Sequence, residues 1–195
     1  MFADYRFRAA AILLLAAFIG GAALLVSWLR QPDGAGALIG GPFELTDQTG
    51  ARVTSEAFRG KLMLVYFGYV FCPDACPTAL QNMADAIDLL GPAGEDVVPV
   101  FITVDPARDT VEVIKDYAEA FHPRLKALTG TPEDVAGAAK AYRVYFKKAA
   151  EASPGEYLVD HSSIVFLMGR DGRYLMHFTH FTPPEPMAAE IKKRL

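Results

Sequence analysis

The chain has 195 residues, enough for one ordinary domain plus an attached segment, and 52% of them are hydrophobic. Its formal net charge is −4 and it contains no basic stretch, which argues against a nucleic-acid-binding surface. Only two cysteines occur, Cys72 and Cys76, so whatever these thiols do, they do as a pair.

The apolar excess is concentrated at the N-terminus. From Ala9 to Leu29 there is no charge, and Ser27 is the only hydroxyl. At about 1.5 Å per residue a helix over this run spans roughly 30 Å, which predicts one transmembrane helix over residues 9–29. A cleavable signal peptide has an apolar stretch of only about 7–15 residues and a small-residue exit, whereas Trp28-Leu29-Arg30 follows here. Arg6 and Arg8 precede the run, so residues 1–8 are expected to be a short cytoplasmic N-terminus. Residues 30–41 read as a Gly-rich linker. The short segment before the anchor leaves no room for a mitochondrial presequence. The expected location is therefore a bacterial inner membrane, single-pass, with the C-terminal domain in the periplasm.

Residues 42–195 form the expected domain. Phe43 to Thr46 and Ala51 to Val53 flank Asp47-Gln48-Thr49-Gly50, a hairpin with polar turn chemistry. Leu62 to Tyr69 is continuous and apolar, as a strand buried on both faces should be. Leu80, Met83, Ile87 and Leu90 recur at helical spacing and predict a helix over Pro77 to Leu90, stopped by Gly91. Val97 to Val104 is a second buried strand. Asp109, with Glu112 three positions on, reads as the cap of a helix carrying Val113, Ile114, Tyr117 and Phe121. A short strand near Leu125 to Leu128 leads to a helix from Gly130-Thr131-Pro132-Glu133 to about Tyr142. Tyr145-Phe146, Ile164 to Met168 and Tyr174 to Phe178 are further strands, with a turn at Asp171-Gly172, and a last helix starts at Glu185. This order of elements predicts an α/β, thioredoxin-like fold with an N-terminal β-hairpin.

Phe71-Cys72-Pro73-Asp74-Ala75-Cys76-Pro77 follows the first long strand, at a strand-to-helix junction. The positive end of a helix dipole favours thiolate there, the form that attacks disulfides and binds soft metals. A bridge across so small a loop removes little chain entropy, which argues against a purely structural disulfide. The C-x-x-x-C spacing allows thiol exchange, and two thiolates are also ligands for Cu(I) or Zn(II). A two-sulfur site usually takes a third ligand. His161, in Val159-Asp160-His161-Ser162 just before a late strand, is the best placed of the four histidines. Asp160 is then a candidate for orienting that ring or meeting a partner.

His122 reads as a satisfied or capping residue, and His177 and His180 as surface or core-edge histidines rather than a zinc pair. Asp105 and Arg108, at the end of the second buried strand, are candidate partner contacts.

In this order, several fragments resemble those of the Sco (SenC) proteins, membrane-anchored copper-handling factors for cytochrome c oxidase assembly. They are Gly41-Pro42-Phe43, Gly60-Lys61, Phe67-Gly68-Tyr69, the cysteine motif through Thr78, Val104-Asp105-Pro106-Ala107-Arg108-Asp109-Thr110, Tyr142-Arg143-Val144-Tyr145 and Val159-Asp160-His161-Ser162. The resemblance covers roughly Ile39 to the C-terminal helix.

It implies a copper site, for Cu(I) or Cu(II), made from Cys72, Cys76 and His161, with Asp74, Asp105 and Asp160 as supporting or partner-facing residues. It also implies a partner: cytochrome c oxidase subunit II or another copper enzyme, whose dinuclear copper centre the family loads or keeps reduced. A second copper chaperone and a thiol reductant are further implied partners. Two roles stay open: a metallochaperone, and a thiol-disulfide oxidoreductase with Cys72 attacking and Cys76 resolving. A peroxidase fits less well, because the second cysteine and the His161 motif fit a metal better.

Overall fold

The structure is a computed structural model that describes residues 20–21, 39–150, 153 and 156–195. Apart from residues 20–21, the expected N-terminal segment and transmembrane helix lie outside the described residues, as does most of the linker. Among the described residues no helix is long and apolar enough to cross a membrane. The chain divides into two units, Met1–Gly36 and Ala37–Leu195, and the second carries everything below.

The hairpin expected at the start is β1 (Glu44–Asp47) and β2 (Arg52–Thr54), paired antiparallel with Leu45 opposite Val53. The Asp47 carboxylate closes its turn, accepting from the backbone N–H groups of Thr49 at 2.8 Å and Ala51 at 3.1 Å. β3 (Leu62–Gly68) is buried at every position, as its unbroken apolar run requires. It lies parallel to β4 (Val97–Thr103), in a register that sets Leu62 opposite Val97 and Gly68 opposite Thr103.

Between them runs α1 (Ala75–Leu89), which buries Leu80, Met83 and Ile87. It begins two residues before the expected Pro77, so Cys76 belongs to the first helical turn. Proline has no N–H to lose and is tolerated within that turn.

α2 (Val111–Glu119) follows β4, β5 (Lys126–Thr129) pairs parallel to β4, and α3 (Pro132–Ala141) opens with a capping box between Thr131 and Asp134. β8 (Ile164–Met168), β9 (Tyr174–Thr179) and α4 (Pro184–Lys192) close the chain, with α4 packed on α1. The seven-stranded sheet has the order β2-β1-β5-β4-β3-β8-β9. This is a thioredoxin-like arrangement.

Two further features differ from expectation. β6 (Phe146–Lys148) and β7 (Val159–His161) form a separate antiparallel ribbon outside the main sheet. Only the first of these strands is legible as one, because β7 is three residues long with a mixed burial pattern. The chain enters the ribbon through Arg143, which adopts a left-handed φ of 55° as α3 ends.

The second difference is the cap of α2. It is Thr110, whose hydroxyl accepts from the Val113 N–H at 3.4 Å, and not Asp109. Asp109 is fully buried and points inward. Its Oδ2 accepts from the Thr103 hydroxyl at 2.6 Å and from the Val70 N–H at 3.1 Å.

Burial pushes the Asp109 carboxyl up to about 6, against the lowering effect of those bonds. Its folded value lies above its unfolded one, so the native state binds the extra proton and this contribution is present at low pH. It is lost as pH rises from about 4 through about 6. Asp109→Asn keeps an acceptor oxygen and removes the charge. It should flatten stability against pH across that window, a difference on the order of 2 kcal/mol, read from urea unfolding at pH 4 to 7. An unchanged slope would show that Asp109 does not titrate there.

Candidate metal centre

The register of β3 and β4 brings two loops to one edge of the sheet. Val104 N–H donates to the Gly68 carbonyl at 2.8 Å, and Asp109 ties Val70 to the same edge. The turn between β3 and α1 therefore carries the cysteines beside the loop that carries Asp105 and Arg108. Cys76 sits in the first helical turn, fully buried, and Cys72 lies half-buried before it. The Cys76 N–H donates to Cys72 Sγ at 3.4 Å, so the first-turn backbone itself stabilises negative charge on that sulfur.

His161 arrives from the ribbon. Its Nε2 lies 3.5 Å from Cys76 Sγ, and its Nδ1 lies 3.4 Å from the Ser162 carbonyl oxygen. The Ser162 contact orients the ring so that Nε2 faces the sulfurs. The rings of Tyr66 and Tyr69 meet the imidazole edge-on, with centroids at 6.0 and 5.8 Å. The ligand atoms of Cys72, Cys76 and His161 all lie within 4.8 Å of one another, a spacing that one ion can bridge. Among the described residues this is the one group of three or more such side chains found close enough to hold a metal.

The two thiols are not equivalent. The hydrogen bond from Cys76 holds the Cys72 thiol well below its usual range, with His161 and the backbone N–H groups of Asp74 and Cys76 adding to it against burial. Cys76 is raised by its bond to Cys72 and by burial. At neutral pH the pair is one half-exposed thiolate and one buried thiol. The Tyr66 hydroxyl, itself held protonated by burial, lies 3.8 Å from Cys76 Sγ as a further donor.

The supporting carboxylates behave differently from one another. Asp74 is exposed at the N-cap position of α1 and makes no side-chain cap. Asp160 is exposed on β7, where alternation turns it away from the His161 face, and the ring is oriented by Ser162 rather than by Asp160. Asp105 is buried and accepts from Arg108 Nε at 2.5 Å and from the Tyr157 hydroxyl at 2.7 Å. Of the two roles expected for Asp105, supporting or partner-facing, this burial fits the first, while Arg108 lies partly exposed beside it.

His122 is satisfied, its Nδ1 accepting from the Arg124 N–H at 3.1 Å while Nε2 faces Asp88. His177 pairs with the Tyr174 hydroxyl and His180 with the Ser163 carbonyl. Tyr66, Gly68, Tyr69 and Tyr157 escaped the sequence reading as parts of the site. A signal existed for Gly68 alone, because a glycine inside a buried strand marks a close approach. That neighbour is Cys76, whose sulfur would lie 2.7 Å from a Cβ at this position.

Two outcomes follow from this geometry. Gly68→Ala should cost about 1–3 kcal/mol in urea unfolding, because the new methyl also meets Tyr66 at 2.9 Å and Phe101 at 3.2 Å. A neutral substitution would mean the strand end yields freely. In the metal-free reduced protein, iodoacetamide at pH 6 should modify Cys72 well before Cys76, as mapped by peptide mass. Equal rates would contradict the asymmetry of the pair.

Comparison with known proteins agrees with this geometry. A family model described as SCO1/SenC matches residues 31–195. Protein SenC of Rhodobacter capsulatus is 44% identical over 157 residues, which is 80% of this chain and 71% of that protein. The structure of Bradyrhizobium japonicum ScoI with copper bound matches with a TM-score of 0.75 at 43% identity, over 80% of this chain and 99% of that one. BsSco, a member of the Sco family of cytochrome c oxidase assembly proteins in which a disulfide switch was identified, matches with a TM-score of 0.64 at 25% identity, over 85% and 98% of the two chains. The chain belongs to the SCO1/SenC family.

Proposed function

We propose that this protein is a copper chaperone that takes its cargo ion between Cys72, Cys76 and His161 and passes it to a copper enzyme, in the first instance the dinuclear copper centre of cytochrome c oxidase subunit II. The observation that carries this reading is the convergence of two sulfurs and one imidazole nitrogen within 4.8 Å, on elements separated by 85 positions. Thiolate and imidazole are the donors a soft monovalent copper ion prefers. The copper-bound ScoI structure, 43% identical, supports the choice of metal.

Capture of Cu(I) at neutral pH engages the Cys72 thiolate and His161 Nε2 and displaces one proton from Cys76. Affinity then rises with pH until Cys76 no longer holds a proton in the free protein. Release follows by ligand exchange, the partner's donors replacing these one at a time. The apolar run over residues 9–29 supports a membrane anchor, with the domain on the periplasmic side of a bacterial inner membrane.

A second reading rests on the thiolate–thiol pairing of Cys72 and Cys76. In it, Cys72 attacks a partner disulfide and expels one thiolate. Cys76 then displaces the partner's other sulfur, closing a Cys72–Cys76 disulfide as its proton passes to the leaving thiolate. A thiol reductant must reopen that disulfide for the next cycle. The disulfide switch identified in BsSco supports this as a companion role.

The deciding experiment is a Cu(I) titration of the reduced full chain in detergent against a Cu(I) chelator, with Cys72→Ala, Cys76→Ala and His161→Ala alongside. One equivalent is expected, lost in the cysteine variants and weakened about 10–100-fold or more in His161→Ala. Binding indifferent to His161, or none under competition, would transfer the function to the dithiol.

A further inference from the structure

We propose that Arg108, anchored by Asp105, is a positioning residue that ties the cysteine-bearing turn to the ribbon carrying His161. The inference rests on the reading of Cys72, Cys76 and His161 as the copper ligands and says what holds the third of them in place. The two cysteines share one turn and one helix end, so their separation is set locally. His161 lies on a different element, and neither that turn nor that helix end sets its position. It lies on a two-stranded ribbon of three residues a side, outside the main sheet. An isolated ribbon of that size does not hold its own geometry in water.

The structure supplies a tie. Asp105 leaves β4 buried and faces two groups at once, Arg108 Nε at 2.5 Å and the hydroxyl of Tyr157 at 2.7 Å. Tyr157 lies on the chain leading into β7, four residues before His161. The Arg108 guanidinium lies 3.6 Å from the centre of the Tyr157 ring and 5.0 Å from that of Phe71, the residue immediately before Cys72. It also lies 5.8 Å from the ring centre of Tyr69, which meets the His161 imidazole edge-on.

One cation thus touches the turn that carries the sulfurs, the strand end below it and the ribbon that carries the nitrogen. Arg108 Nη2 is buried with no hydrogen-bond acceptor. An arginine recruited only to neutralise Asp105 would have no use for three aromatic faces. Lysine would serve as the charge, but only the planar guanidinium stacks while it donates.

The test separates a tie to His161 from a general loss of structure. Tyr157→Phe keeps the ring and removes its bond to Asp105; Arg108→Gln removes the cation. Each is made in the full chain and again with His161→Ala, and Cu(I) affinity is read against a competing chelator. Thermal unfolding of each variant confirms that it is folded. With His161 present, each change should weaken binding about 10-fold; with His161→Ala, the loss should shrink to less than about twofold, because a group that acts through the imidazole has nothing left to act on. Equal losses in both backgrounds, or no loss in either, overturn the proposal.

A second readout needs no copper. In the reduced metal-free chain with 15N-labelled histidine, both variants should shift or broaden the His161 ring signals and leave those of His122 unmoved. An unmoved His161 overturns the tie. Wild-type protein that binds no Cu(I) would instead overturn the copper reading, and the ring signals would then decide the tie by themselves.

Discussion

Everything in this site depends on the register in which β3 lies against β4. Parallel pairing with Gly68 opposite Thr103 ends the two strands at the same edge of the sheet, so the segments that leave them run side by side. One carries both cysteines, the other Asp105, Arg108 and Asp109. A slip of one residue would turn every β3 side chain to the opposite face. Burial of all seven positions, with α1 packed against both strands, makes that slip expensive. The dense apolar run of β3 is therefore the physical reason the two loops meet.

The second loop then uses its two aspartates in opposite directions. Asp109 reaches back to the Val70 N–H and the Thr103 hydroxyl, fixing the loop to the turn above β3. Asp105 reaches outward to Arg108 and Tyr157, fixing the same loop to the ribbon. Both carboxylates are buried, and each is held by partners that a lone buried charge would lack. A cation over a partly exposed aromatic face contributes on the order of 1 kcal/mol, enough to matter to a ribbon only three residues long on each side. Groups that touch none of the ligand atoms thus add to the direct contacts made by the Cys76 N–H, Tyr66 and Ser162.

Much of this fold is legible in the sequence, because β3, β4 and α1 bury continuous or regularly spaced apolar residues whose pattern has few other readings. The position of the cysteine pair at the strand-to-helix junction is legible for the same reason. Cys76 itself is harder to place, since the prolines on either side of it obscure where α1 begins. Asp109 misleads because its sequence position suits a cap, while the Val70 N–H, 39 positions away, takes its carboxylate as acceptor and turns it inward. The ribbon is nearly silent in the sequence, its strands being short, polar and half-exposed. His161 is found by its place before a late strand and by the family motif around it. The tie between Asp105 and Tyr157 spans 52 positions and has no local signature. Contacts that organise a site across the fold are of this kind, and pattern reading sees only the elements they join.

The burial gradient across the three ligand side chains has a consequence for exchange. Cys72 and His161 are half-exposed, whereas Cys76 is fully buried beneath Tyr66 and against the Gly68 backbone. Cys72 and the imidazole are therefore the ligand groups open to an approaching donor, and Cys76 is not. The gradient also suits the charges. The exposed sulfur is the thiolate, ready to bind an arriving cation or to attack, while the buried sulfur keeps its proton until a ligand or a disulfide takes the place of that bond. In both of the roles proposed for this site, Cys72 Sγ is among the first atoms a partner would reach. The roles diverge at Cys76, which in one case closes a chelate with the ion and in the other closes a disulfide that excludes it. A site with two equally exposed thiolates would offer no such distinction. The asymmetry arises from the placement of α1, whose first turn carries one cysteine into the core and leaves the other at the rim.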